Sequence, residues 1–215
     1  MKKFALVKDV TDFWKVYEPM LKKYSIDVIT LDIFNYENQQ RLLNENWDGF
    51  FWRAKHDPRY RDLAKRFFPL FENELGIKTF PSFKDYWHYD DKMSQYFLFQ
   101  KLNIPTPKTY VFYNQDEAIN FINTKAEFPI IYKAPSGAGS ANVGFLKSKF
   151  SAIRYIKKAF NKGIKTASLE DLQRYYVYFQ EFLKYNDGDY RVISYGKDRI
   201  VSFFRANKPN QKFAS

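Results

Sequence analysis

Apolar positions change period along the chain, and the changes mark out elements. Phe4-Ala5-Leu6-Val7 is a strand-length apolar run. Thr11 or Asp12 is then positioned to cap a helix that carries Phe13, Val16, Tyr17, Met20 and Leu21 at three-to-four spacing. Residues 26–31 predict a second strand, 37–44 a helix, and 48–53 a third strand. A further helix starts near Pro58 with Tyr60, Leu63, Ala64 and Phe67 on one face, and Pro69 should end or kink it. Strands interleaved with helices predict a parallel α/β sheet. Thr79-Phe80-Pro81-Ser82 has the composition of a connector, and the first domain is placed at 1–80.

Residues 81–215 have a different rhythm. An amphipathic helix over 91–102 is stopped by Asn103-Ile104-Pro105. A strand at 108–113 follows, then a helix capped by Asn114 and a strand at 129–134. A Gly/Ser-rich loop leads to a strand at 142–147 and an amphipathic helix at 151–160. Strands at 176–183, 190–195 and 199–205 complete the pattern, the last two joined by the turn Gly196-Lys197-Asp198. Antiparallel strands mixed with helices make this half α+β.

Composition narrows the chemistry. With no cysteine and only His56 and His88, thiolate sites, cysteine nucleophiles and multi-histidine metal sites within this chain are excluded. Any metal would be a hard, oxygen-bound ion such as magnesium. No apolar run approaches the roughly 20 residues that span a bilayer, and the N-terminal apolar run is too short for a signal peptide, so a cytoplasmic location is expected. Thirty-five Lys and Arg against 24 Asp and Glu give a net charge of +11, an attraction for polyanions, nucleotide phosphates among them. Aromatics at 20% would suit base stacking, but they fall in strand-like runs or at helical spacing, and no nucleic-acid-binding signature accompanies them.

The candidate chemistry gathers in 81–215. The loop Ser136-Gly137-Ala138-Gly139-Ser140 lets backbone N–H groups approach an anion, though it is neither a Walker A loop nor a Rossmann fingerprint; the bland alternative is a hairpin loop. Lys133 closes the apolar strand Ile130-Ile131-Tyr132 and by alternation shares the face of Ile131. A lysine there either meets an anion or snorkels to water. Glu181-Phe182-Leu183 ends a strand, where free backbone groups can bond an adenine edge beside apolar side chains. Asp189 and Arg191 alternate around Tyr190 and share one face, the usual pattern of an exposed ion pair.

Taken in order, Asp91-Lys92, Ile104-Pro105-Thr106-Pro107-Lys108-Thr109, Pro129 to Lys133, the small-residue loop, Gln180 to Leu183, Gly188-Asp189-Tyr190-Arg191 and Phe204-Arg205-Ala206 resemble the ATP-grasp superfamily, specifically its RimK-like and glutathione-synthetase-like ligases. The resemblance covers about residues 85–215. It implies an ATP-grasp fold of two α+β lobes behind an N-terminal α/β domain, with ATP between the lobes. Lys92 and Lys133 match the lysines that hold ATP phosphates, and Ser136 to Ser140 the loop that closes over them. Glu181, Phe182 and Leu183 match the adenine-contacting hinge, Asp189 a polar residue near the ribose, and Arg191 and Arg205 arginines near the phosphates or the activated carboxylate.

The implied activity is a carboxylate–amine ligase that forms an acylphosphate from ATP. Its partners would be ATP, a small-molecule or peptide carboxylate and an amine acceptor, with magnesium as cofactor. The metal-holding Asp and Glu-x-Asn segment of such ligases is not matched before Ser215. The resemblance therefore implies an incomplete second lobe, metal ligands beyond the end of this chain, an inactive 215-residue fragment, and self-association through the opened lobe. A non-catalytic ATP- or polyanion-binding module is the alternative.

Overall fold

The computed structural model describes residues 1–134, 142–166, 172–184, 187–196 and 198–207. Contacts divide the chain into two units, Met1–Tyr89 and Asp90–Ser215. The first unit is α/β. It runs β1 (Lys2–Lys8), α1 (Trp14–Lys23), β2 (Ile26–Asp32), α2 (Tyr36–Asn44), β3 (Gly49–Phe51), α3 (Pro58–Pro69), a π-helical turn (Leu70–Glu74), β4 (Lys78–Phe80) and the short α4 (Phe83–Tyr86). Its strands line up β2-β1-β3-β4, every pair parallel. Phe50, Trp52, Phe68 and Phe71 sit at the centre of its core.

Two local expectations are corrected here. The segment expected to be a connector contributes β4, because Thr79 pairs with Phe50 as the fourth parallel strand. Its buried hydroxyl is satisfied by Glu72 and by the Pro81 carbonyl. Neither Thr11 nor Asp12 caps α1, since the N-cap is Phe13 with no side-chain bond. The Asp9 carboxylate takes the Thr11 N–H and hydroxyl, and Asp12 turns the chain at φ 58°. Pro69 does close α3, and the chain continues directly into the π-helical turn.

The second unit is α+β: α5 (Lys92–Lys101), β5 (Thr109–Phe112), α6 (Gln115–Thr124), β6 (Ile130–Lys133), β7 (Val143–Leu146), α7 (Lys149–Phe160), β8 (Ile164–Lys165), β9 (Leu172–Gln173), β10 (Val177–Glu181), β11 (Gly188–Tyr195) and β12 (Arg199–Ala206). Four strands form an antiparallel sheet in the order β5-β10-β6-β7. Asn114 caps α6 by accepting from the Asp116 and Glu117 N–H groups, and Ser148 opens α7 through a capping box with Ser151.

Strand alternation gives this sheet two faces. Ile130, Leu146, Val177 and Phe179 pack against Phe121 and Ile122 of α6 and Ala152 and Ile156 of α7. Ile131, Lys133, Tyr178 and Gln180 point to the opposite face, where Tyr96 of α5 meets Tyr178 edge-on at 6.3 Å. β11 and β12 pair only with each other among the described residues, in register from Gly188–Ala206 to Tyr195–Arg199.

Candidate nucleotide site

Lys133 leaves the last position of β6 on the sheet face that carries no helical core. Its Nζ donates to Gln180 Oε1 at 2.6 Å and lies 5.9 Å from the centre of the Tyr178 ring. Gln180 is held in that orientation from its other end, where its amide N–H donates to Thr109 Oγ1 at 2.8 Å. The Thr109 hydroxyl in turn donates to the Pro107 carbonyl. The chain of bonds aims a neutral oxygen at the ammonium and supplies no counter-charge.

Lys92 is the first residue of α5, whose N-cap Asp91 accepts from the Met93 and Ser94 N–H groups. Burial pushes the pKa of both lysines below the ordinary 10.5. For Lys133 the charge of Lys92 pushes further in the same direction, whereas Asp90 and Asp91 partly offset the effect of burial on Lys92. The Lys92 charge therefore adds to burial in disfavouring the Lys133 ammonium. Such an arrangement is unfavourable alone and becomes favourable with a polyanion between the charges.

The strand end next to them is also built in detail. Glu181 Oε1 accepts from the Lys108 N–H at 2.9 Å, and its own N–H donates to the Lys108 carbonyl. The carboxylate is thus tied to the segment entering β5. Phe182 packs edge-on to Phe145 at 5.0 Å, and Leu183 is half exposed.

Across the β11–β12 hairpin, Arg205 Nη2 and Nε reach Asp189 Oδ2 at 2.8 and 3.2 Å. The other carboxylate oxygen, Oδ1, is buried with no hydrogen-bond partner among the described residues. The ion pair expected between Asp189 and Arg191 is replaced by this one. Direct register opposes Asp189 to Arg205, while Arg191 faces Phe203 and is exposed. Gly188 is required at the start of β11, because a Cβ there would collide with the Arg205 carbonyl oxygen. Ser136, Gly137, Ala138, Gly139 and Ser140 lie outside the described residues.

Lys92 and Lys133 are thus brought together, as are Asp189 and Arg205, whereas Arg191 is exposed and joins neither pair among the described residues. Gln180, Thr109 and Tyr178 complete the lysine site; Gln180 and Thr109 lie within the family-like motifs but had no role assigned from sequence, and Tyr178 lies outside them. Their signal was the alternation of β10, which puts Tyr178 and Gln180 on one face. Among the described residues no three His, Cys, Asp or Glu side chains gather as a metal cradle.

No established family profile matches the chain. It is similar to the alpha-aminoadipate–LysW ligase LysX of Sulfurisphaera tokodaii, 28% identical over 149 residues, covering 66% of this chain and 47% of that protein. The chain spans less than half the length of the curated relatives it matches. Among solved structures it resembles N5-carboxyaminoimidazole ribonucleotide synthetase from Thermotoga maritima, with TM-score 0.60, 17% identity, and coverage of 94% of this chain and 52% of that one. It also resembles a RimK domain ATP-grasp protein from Sphaerobacter thermophilus, with TM-score 0.56, 12% identity, and coverage of 89% and 68%.

Proposed function

We propose that the chain is a member of the ATP-grasp superfamily, on its similarity to LysX ligases and to solved ATP-grasp structures, and that its second unit binds ATP and serves a ligase that activates a carboxylate as an acylphosphate for attack by an amine. The observation that carries this reading is the pair of half-buried lysines, Lys92 and Lys133, both held below their ordinary pKa by burial, with the Lys92 charge acting on Lys133 and a neutral amide oxygen accepting from Lys133 Nζ. A polyphosphate is the ligand that turns this unfavourable arrangement into binding.

Each residue has a part in that reading. Lys92 and Lys133 hold the phosphates by charge-assisted bonds, Gln180 fixes the Lys133 ammonium, and Tyr178 walls the face behind it. Backbone groups at Phe182 and Leu183 meet the adenine edge, with the Phe182 ring as apolar contact. The unpartnered Asp189 Oδ1 suits a ribose hydroxyl, and Arg205, aligned by Asp189, faces developing negative charge. In the reaction the carboxylate oxygen attacks the terminal phosphorus and ADP leaves; the amine then attacks the acyl carbon and phosphate leaves. Magnesium would neutralise phosphate charge in such chemistry, but the described residues do not form a cradle for it, so no step assigned to this chain runs through a metal. The LysX relative is named for an amino acid and LysW, and an amino-acid carboxylate or amine is the substrate class we favour.

Calorimetric titration with ADP tests the binding half of this reading. Lys92→Ala and Lys133→Ala should each weaken ADP by about tenfold or more while the protein stays folded. Wild-type affinity in both folded variants would reject the site.

A further inference from the structure

A second built feature lies on the helical side of the same sheet and has no part in the nucleotide reading. β7 is an edge strand, paired with β6 alone among the described residues. The Ala134 N–H donates to the Asn142 carbonyl, so Gly144 and Leu146, in the same phase, also turn their backbone groups toward β6. By antiparallel alternation the intervening residues turn theirs outward. An edge of this kind is a template for another strand unless it is blunted.

Beside that edge is an open cavity of about 430 Å³. Tyr132, Leu146 and Ile164 give it apolar walls, and α7 overhangs it with Phe150, Arg154 and Lys158, one helical turn apart. Phe150 is 77% exposed, a large apolar ring held out at the rim. Arg154 and Lys158 are exposed and make no ion pair among the described residues. From Lys147 to Lys165 inclusive the chain has seven lysines and arginines and no aspartate or glutamate. The cavity is large enough for one or two apolar side chains, within the range typical of small-ligand sites.

We propose that the outer edge of β7 and the overhanging face of α7 form a docking groove for an acidic, extended peptide segment of a partner protein. The segment adds a strand beside β7, places one apolar side chain in the cavity under Phe150, and sets its carboxylates against Arg154 and Lys158. Charge complementarity selects an acidic partner, and the edge strand selects a polypeptide, because only a peptide backbone can continue the ladder. A nucleic acid would use the charge but not the edge, and α7 presents a single exposed ring rather than a row for stacking.

The test uses the full chain and fluorescence anisotropy with three labelled peptides. One is acetyl-DEVFVDE-amide, the second has lysine in place of each acidic residue, and the third is the acidic peptide N-methylated at alternate backbone positions. The acidic peptide should bind, the lysine peptide should not, and N-methylation should weaken binding about tenfold or more by removing strand pairing. Arg154→Glu with Lys158→Glu, both at exposed positions, should abolish binding of the acidic peptide with an unchanged melting temperature. Equal binding of the acidic and N-methylated peptides, or by the charge-reversed variant, overturns the proposal. So does failure of the acidic peptide while single-stranded RNA or phosphatidylserine vesicles bind in a manner that the charge reversal removes.

Discussion

At the residue scale, Lys133 is kept charged where burial opposes the charge. Its pKa lies below 10.5, through burial first and the charge of Lys92 second. A lysine lowered in the folded state costs stability at every pH below that folded value, and the cost fades as pH rises toward the unfolded value. Lys133→Met keeps the apolar stem and removes the cost, so it should melt no lower than wild type in a thermal scan. It should nonetheless lose about 2 kcal/mol of ADP affinity by calorimetry. A bound phosphate favours the protonated lysines, so ADP binding in alkaline buffer below pH 10.5 should take up protons. Titrations in buffers of different ionisation enthalpy measure that uptake, and enthalpies independent of buffer would contradict it.

A residue of the first unit gives a linkage of opposite sign. Glu45 is held at a pKa of about 2, chiefly by its bond from Arg41 and then by Lys3, whose Nζ lies 2.7 Å away. Its contribution is complete above the ordinary 4.5 and is lost as pH falls toward 2. Acid unfolding of Glu45→Gln should therefore diverge from wild type above pH 4.5 and converge with it near pH 2.

At the scale of elements, what the sequence made legible were features whose cause is local. Asn114 before an amphipathic run marked the start of α6, and its side chain does accept from the Asp116 and Glu117 N–H groups. Asn114→Ala should lower stability by about 1 kcal/mol, readable as a shift of the urea midpoint at constant slope. The start of α1 was not legible, because Asp9 competes for the Thr11 groups that would have made a cap. β4 was hidden because three residues ahead of Pro81 have no period of their own, and only pairing with β3 makes them a strand. The lysine site was half legible for the same reason. The alternation of β6 marked Lys133, but its bond to Gln180 joins residues 47 apart and follows from sheet register. The hinge assignment is tested at this scale too. Leu183→Pro removes a backbone N–H at an exposed strand end, and should weaken ADP about tenfold while leaving inorganic tripolyphosphate unaffected. Equal loss for both ligands would place the defect in folding and not in adenine recognition.

At the scale of the whole molecule, the two units are a parallel α/β sheet and an antiparallel sheet with its own helices, each with a separate buried core. The β11–β12 hairpin is paired into neither four-stranded sheet among the described residues and exposes Val192, Ile193, Ile200 and Val201 on its two faces. A two-stranded ribbon with apolar side chains on both faces is poorly stable by itself and attracts other apolar surface. Sedimentation velocity of the 215-residue chain should show concentration-dependent association, and Val192→Lys with Ile200→Lys should reduce it. A chain that stays monomeric across the accessible concentrations would contradict this reading of the hairpin. The phosphate and adenine contacts do not depend on that outcome, since the lysines, Gln180 and the Glu181 to Leu183 segment belong to the β5-β10-β6-β7 sheet, the residues just beyond β10, and α5, whereas the parts given to Asp189 and Arg205 rest on the hairpin. Its most direct test is a crystal structure of the chain grown with a non-hydrolysable ATP analogue. The account predicts phosphate density within hydrogen-bonding distance of Lys92 Nζ and Lys133 Nζ, with the adenine edge against the backbone of Phe182 and Leu183. An ordered analogue bound elsewhere, with Lys133 still donating to Gln180 alone, would contradict it.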